Sequence, residues 1–253
     1  MRRRIISMLL LVTIFFIPVY WNVFASNETA ILLKNHPAKD MLEWTHELPN
    51  QELLGRLILL PQTEFNLDEA SYMIKNVSLV PESVLRTLVR QNVQLYLFDG
   101  LLTDVEGFKH LRGKQPRGYS TNGPTWDNVP GIGGSKLVLA KIGHSHPGNG
   151  HSSINLELHE LAHSVDRFVY GNIRYNEVFQ AIWKEEAPIL FPNQNYFLHF
   201  IEEYFAETFA MYFLNETTRE KLLLNAPKTY SFFESLDHLP AHTEFTFKRS
   251  LLY

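Results

Sequence analysis

An unbroken apolar run opens the chain, where "IISMLLLVTIFFIPVYWNVFA" follows the basic "MRRR" and gives way to "SNET". Basic start, apolar stretch and small residues Val23 and Ala25 come in the order of a secretory signal. Residues 1–25 are expected to direct export, either removed or retained as a membrane anchor, since the run is long enough to span a bilayer. The rest of the chain then faces outward. Residues 26–55, ending "DMLEWTHELPNQELLGR", are polar with some helical periodicity and read as a spacer or a short amphipathic helix.

From residue 56 the pattern becomes that of a folded domain, expected to run to residue 253. "LILL" is a short apolar strand and "VQLYLF" alternates at period two, so it reads as a second. Between them "NLDEASYMIKNV" begins with Asn66 as a helix cap, and "PESVLRTLVRQN" opens on Pro81, whose fixed φ suits a first turn. Residues 112–135, "RGKQPRGYSTNGPTWDNVPGIGGS", are rich in Gly and Pro, which in a compact domain marks a functional or disordered loop. "KLVLAKIG" reads as a strand and "HSHPGNGH" as a loop. Residues 152–253 carry mostly helical periodicity, broken at Gly171, at Pro192 to Asn195 and at Pro227. The expected class is α+β, a small N-terminal α/β layer followed by a helical half.

Composition narrows the function. With 45% hydrophobic and 13% aromatic residues in 253, the chain has ample material for a packed core. A net charge of −4, with Lys and Arg scattered, provides no basic stripe for a phosphate backbone, which excludes nucleic acid as the expected partner. Cysteine is absent, so disulfides and thiolate ligands are excluded and any metal must be held by His, Asp or Glu.

One segment meets that requirement. "INLELHELAHSVDRF" places His159 and His163 four residues apart, so on a helix both imidazoles point the same way and can bind one ion. Glu160 lies beside them, within reach of a water on that ion, while Leu158, Leu161, Ala162 and Val165 form the apolar back. An ordinary helix with two histidines is the bland alternative. A catalytic zinc of this type needs a third protein ligand, and "IEEYFAETF" supplies Glu202, Glu203 and Glu207 in an otherwise apolar helix. Buried carboxylates are costly unless paired or bound to metal. Glu203 and Glu207 share a face, which makes Glu203 the expected ligand and Glu207 the group that orients a histidine through its other nitrogen. Glu202 points about 100° away, toward Phe205, Phe209 and Phe213. His199 competes as third ligand. Asp166 is read as an orienting or capping group, and His144, His146 and His151 as solvated loop histidines. No nucleophile elbow and no phosphate loop are present.

"INLELHELAHSVD", "EEYFAETFAMYFLN" and "NAPKTYSF" resemble the protease domain of anthrax lethal factor and its small secreted relatives, the Pro-Pro endopeptidases. For the latter the likeness extends to "TWDNVPGIGGSK" and "SHPGNGHSSINLELHE", and covers roughly residues 56–250 in order. It implies a zincin-like fold, one Zn²⁺ on His159, His163 and Glu203, and Glu160 as general base. It further implies Tyr196 as oxyanion support, and an aromatic loop on which Arg117 pairs with Glu202 as it closes over substrate. Tyr119 stands where those relatives tend to carry Trp. Gly133, Gly134 and Ser135 match a loop that helps set the residues accepted near the cleaved bond, with Lys136 replacing a small polar residue.

The combined expectation is a secreted, monomeric zinc metalloendopeptidase acting on proline-rich protein or peptide, with Tyr119 and Trp126 contacting the prolines. The substrate is expected to pair alongside "KLVLAKIG" as an added strand. Two other readings share the ligands: a toxin-like protease acting on host proteins, and a non-catalytic domain stabilised by zinc.

Overall fold

A computed structural model describes residues 30–42, 48–117 and 123–237. The expected export signal, residues 1–25, and Tyr119 lie outside the described residues. The domain is α+β, with a five-stranded sheet in the order β1-β2-β3-β5-β4, formed by β1 (Ala30–Leu32), β2 (Ile58–Pro61), β3 (Gln94–Phe98), β4 (Gly131–Ile132) and β5 (Leu137–Lys141). The three central strands are parallel and the two edges antiparallel.

Alternation along the strands divides the interior in two. Ile58, Leu60, Leu95, Leu97, Val138 and Ala140 face the main core, and Leu59, Tyr96, Phe98 and Leu139 face a smaller one completed by Leu102, Trp126 and Ile132. Helices α1 (Gln51–Leu57), α2 (Leu67–Ser78), α3 (Glu82–Arg90) and α4 (Leu156–Phe168) cover the main face. Asn66 caps α2 by accepting from the N–H groups of Asp68 and Glu69, both at 3.1 Å.

Residues 30–42 do more than a spacer would. β1 pairs with β2 along Ala30–Leu32, Leu33 and Leu42 are buried, and the His36 ring meets the Pro61 carbonyl at 2.8 Å. Among the described residues the sheet therefore begins at residue 30, because the apolar "AILL" has an open strand edge to cover.

The helical half comprises α5 (Glu177–Leu190), α6 (Asn195–His199), α7 (Ile201–Leu214), α8 (Glu216–Asn225) and α9 (Pro227–Asp237). Phe179, Tyr204, Phe205, Phe209, Phe213, Phe232 and Phe233 form its aromatic interior, and α7 packs along α4. A further break comes at Asn215, whose side chain accepts from Thr218 N–H and restarts the chain as α8. The buried carboxylate of Glu186 accepts from the N–H groups of Lys228 and Thr229 at 2.7 and 2.8 Å, anchoring the start of α9. Strand β5 lies between β3 and β4, so its edges are both taken and no peptide can add to it. The free edge beside the helices is β4.

Candidate active site

Helix α4 is held from three directions. Leu158, Leu161, Ala162 and Val165 are fully buried beneath it. Asn155 caps it, accepting from Leu158 N–H at 2.9 Å. In its first turn the buried Glu157 accepts from Asn76 and Asn155 amides at 2.8 Å and from the Ser145 hydroxyl at 2.7 Å. Burial pushes the Glu157 carboxyl up and those donors pull it back. The helix start is thus tied to α2 and to the loop before it.

The histidines of α4 meet the glutamates of α7. Glu203 Oε2 lies 3.2 Å from His159 Nε2 and 3.3 Å from His163 Nε2. Among the described residues these three form the group whose ligand atoms gather within reach of one ion. Ligands about 2.1 Å from a tetrahedral ion stand some 3.3–3.4 Å apart, so the spacing fits a zinc-sized cation. His199 is not part of the group; it is exposed, and its Nδ1 meets Asn195 O at 2.8 Å. Glu207 uses both oxygens behind the histidine, Oε2 at 3.0 Å from His159 Nδ1 and Oε1 accepting from Ile154 N–H at 2.8 Å. Nε2 of His159 is left facing Glu203. Burial disfavours a charged His159, but its bonds to Glu203 and Glu207 prevail and raise it to about 10. Burial likewise works against the Glu203 carboxylate, yet the two histidines hold it well below the ordinary range.

The rest of the cleft is built around this cluster, in a cavity of about 1200 Å³. Glu160 lines it beside both histidines, and burial pushes its carboxyl up against their pull. Tyr196, on α6, projects from the rim and is 37% exposed. Burial of the phenol, and the charge and hydrogen bond of Glu203, raise its pKa, so the hydroxyl keeps its proton. Strand β4 and the residue that follows it cross so close to α4 that glycine is required: a Cβ on Gly133 would sit 2.1 Å from the Glu160 carbonyl oxygen, and one on Gly131 2.8 Å from Glu160 Cγ. The following turn is pinned by Ser164, which accepts from Gly134 N–H at 3.1 Å and donates to Ser135 O at 2.9 Å.

Arg117 bridges the rim. It donates to Glu202 Oε1 at 2.7 Å, stands 3.6 Å from Glu203, and lies over the Phe200 ring at 4.2 Å. Glu202, in the first turn of α7, thus faces the cleft before the Phe stripe begins. Trp126 lines the cleft; Tyr119 is outside the described residues. Asp166 is fully buried and accepts from Arg174 Nε at 2.8 Å. His144 and His151 hold their own loop together, through Asn149 O and His144 O, each at 2.6 Å, and His146 packs on Tyr72.

Arg167, Arg174 and Tyr175 are among the residues that reach the cleft without having been singled out from the sequence. Arg167 could have been found, because it continues the His159–His163 spacing by one turn. Arg174 and Tyr175 belong to a turn after Gly171 whose direction only the tertiary structure sets.

A two-histidine, one-glutamate cluster on crossing helices, a glutamate beside it and an edge strand along the opening define the class: a zincin-like metallopeptidase. The family model of the anthrax toxin lethal factor, N- and C-terminal domain, matches residues 45–236. The chain belongs to this family. It is 37% identical over 205 residues to the Pro-Pro endopeptidase of Clostridioides difficile (strain 630), covering 81% of this chain and 92% of that one. It is 36% identical over 186 residues to the Pro-Pro endopeptidase of Paenibacillus alvei, covering 74% and 85%. The solved structure of the Pro-Pro endopeptidase from Paenibacillus alvei superposes with a TM-score of 0.70 at 36% identity, over 73% of this chain and 99% of that one.

Proposed function

We propose that this metalloendopeptidase binds one Zn²⁺ through His159, His163 and Glu203 and hydrolyses the bond between two prolines in extracellular or surface proteins. The observation that carries the reading is the convergence of Glu160 and Tyr196 on one cleft with the three ligands. A domain that used the metal only for stability would need neither. Zinc, when bound there, lowers the pKa of a water and polarises a carbonyl. Glu160 takes the proton of the attacking water and delivers it to the departing amine. The protonated Tyr196 hydroxyl donates to the oxyanion that forms on the scissile carbonyl. Glu207 fixes the tautomer and the direction of His159.

Proline suits this cleft because the free edge is short. β4 has only Gly131 and Ile132 in the ladder, so it can hold few main-chain bonds. A proline peptide, which lacks the N–H donors, loses little there. Pro116, Trp126, Val129 and Pro130 line the cleft and offer shape and apolar contact instead. Export by residues 1–25 places the enzyme outside the cell, and no helix among the described residues is long and apolar enough to cross a membrane.

The test is cleavage of a diverse peptide library by the wild type and by Glu160→Gln. Removing the base is expected to lower kcat about 10²–10⁴-fold with zinc retained, and the wild type is expected to cut between prolines. Equal activity of the two proteins would remove Glu160 from the chemistry, and indifference to proline would remove the preference.

A further inference from the structure

We infer that the Gly133–Gly134 end of the cleft accepts an acidic side chain of the substrate, held by Arg167 with Lys136 beside it; the inference rests on the endopeptidase reading above. Arginine is the side chain best shaped for a carboxylate, and the cleft is lined by three. Two of them already have carboxylate partners. Arg117 is bonded to Glu202, and Arg174 to the buried Asp166.

Arg167 differs. It stands one turn beyond His163 on α4, is exposed, and donates Nη1 to the Gly134 carbonyl at 3.0 Å. Its guanidinium carbon lies 5.4 Å from the centre of the Phe168 ring, and Lys136 Nζ lies 4.5 Å from the same ring. Lys136 is also exposed and donates to Gln91 O. Among the described residues neither cation has a carboxylate within ion-pair distance. Two cations therefore share one ring, Arg167 on the cleft lining beside Gly133 and Gly134 and Lys136 outside that lining, in a chain of net charge −4. A carbonyl and an aromatic face hold Arg167 in place but leave its charge uncompensated, and a substrate covering it would shield the pair from water.

The experiment uses peptides with a Pro-Pro bond that differ only in Glu, Gln or Lys at each of the three positions on either side of it. For the wild type, kcat/KM for Glu over Gln is expected to be about 3- to 10-fold at one or more positions. That ratio should fall to about one in Arg167→Gln, part of the way in Lys136→Gln, and invert toward Lys in Arg167→Glu. A gained preference for Lys cannot come from misfolding. Equal cleavage of the Glu and Gln peptides by the wild type, or a Glu preference that survives Arg167→Gln, overturns the inference and leaves the endopeptidase reading standing. Failure to cleave any of them defeats both.

Discussion

The floor and the rim of the cleft are built on different physics. On the floor, Glu203 and Glu207 are buried, each with both a histidine and a second partner or neighbour to answer its charge, on helices whose backs are packed core. On the rim, Glu202 is bonded to an exposed Arg117, and the glycine turn is held by the Ser164 hydroxyl and an exposed Arg167. Buried polar groups with fixed partners hold one geometry, whereas exposed ion pairs are weak and exchange with water. Chemistry that needs a metal at fixed distances belongs on the floor. Selection among substrates belongs where the protein can give way.

Substitutions can break this contrast. The largest effect is expected from Glu207→Gln, which keeps the volume but removes the charge behind His159. Zinc affinity should fall about 10- to 100-fold, measured by chelator competition, and unchanged affinity would separate Glu207 from the metal. Next is Gly133→Ala, which forces β4 off the Glu160 carbonyl. A cost of about 1–3 kcal/mol should appear as a lower Tm together with lower kcat/KM. Full stability would mean that β4 can retreat freely.

The pH profile sharpens the floor. In the proposed mechanism Glu160 must be ionised to act as base, and burial raises its pKa. Activity is therefore present at high pH and lost as pH falls through a value above the ordinary carboxylate range of about 4.3. An acid limb in kcat/KM at or below that range would contradict the burial argument. The smallest effect concerns the rim: Arg117→Ala should change stability by no more than about 1 kcal/mol, read by denaturant unfolding, while raising KM.

Legibility in the sequence followed the same division. The floor could be read because its signals are local: the four-residue spacing of His159 and His163, the four-residue spacing of Glu203 and Glu207, and the apolar back of α4. Asn66 and Pro81 marked helix starts for equally local reasons. The rim resisted. β4 is two residues, one of them glycine, and nothing in "GI" announces a strand, so the sequence points the substrate to the far more strand-like "KLVLAKIG" instead. β1 was hidden in the same way by its three residues. Tyr196 carries no spacing signal to the metal and came from family resemblance alone. Arg174 and Tyr175 reach the cleft only through a turn that Gly171 permits at φ +66°.

Glu202 and Glu203 are adjacent on one helix, one on the rim and the other on the floor, so they test the division most directly. The measurement is zinc per chain, with kcat/KM, in Glu202→Ala and Glu203→Ala. The account predicts one zinc and reduced but measurable cleavage for Glu202→Ala, and loss of both for Glu203→Ala. Zinc lost from Glu202→Ala and kept in Glu203→Ala would contradict it.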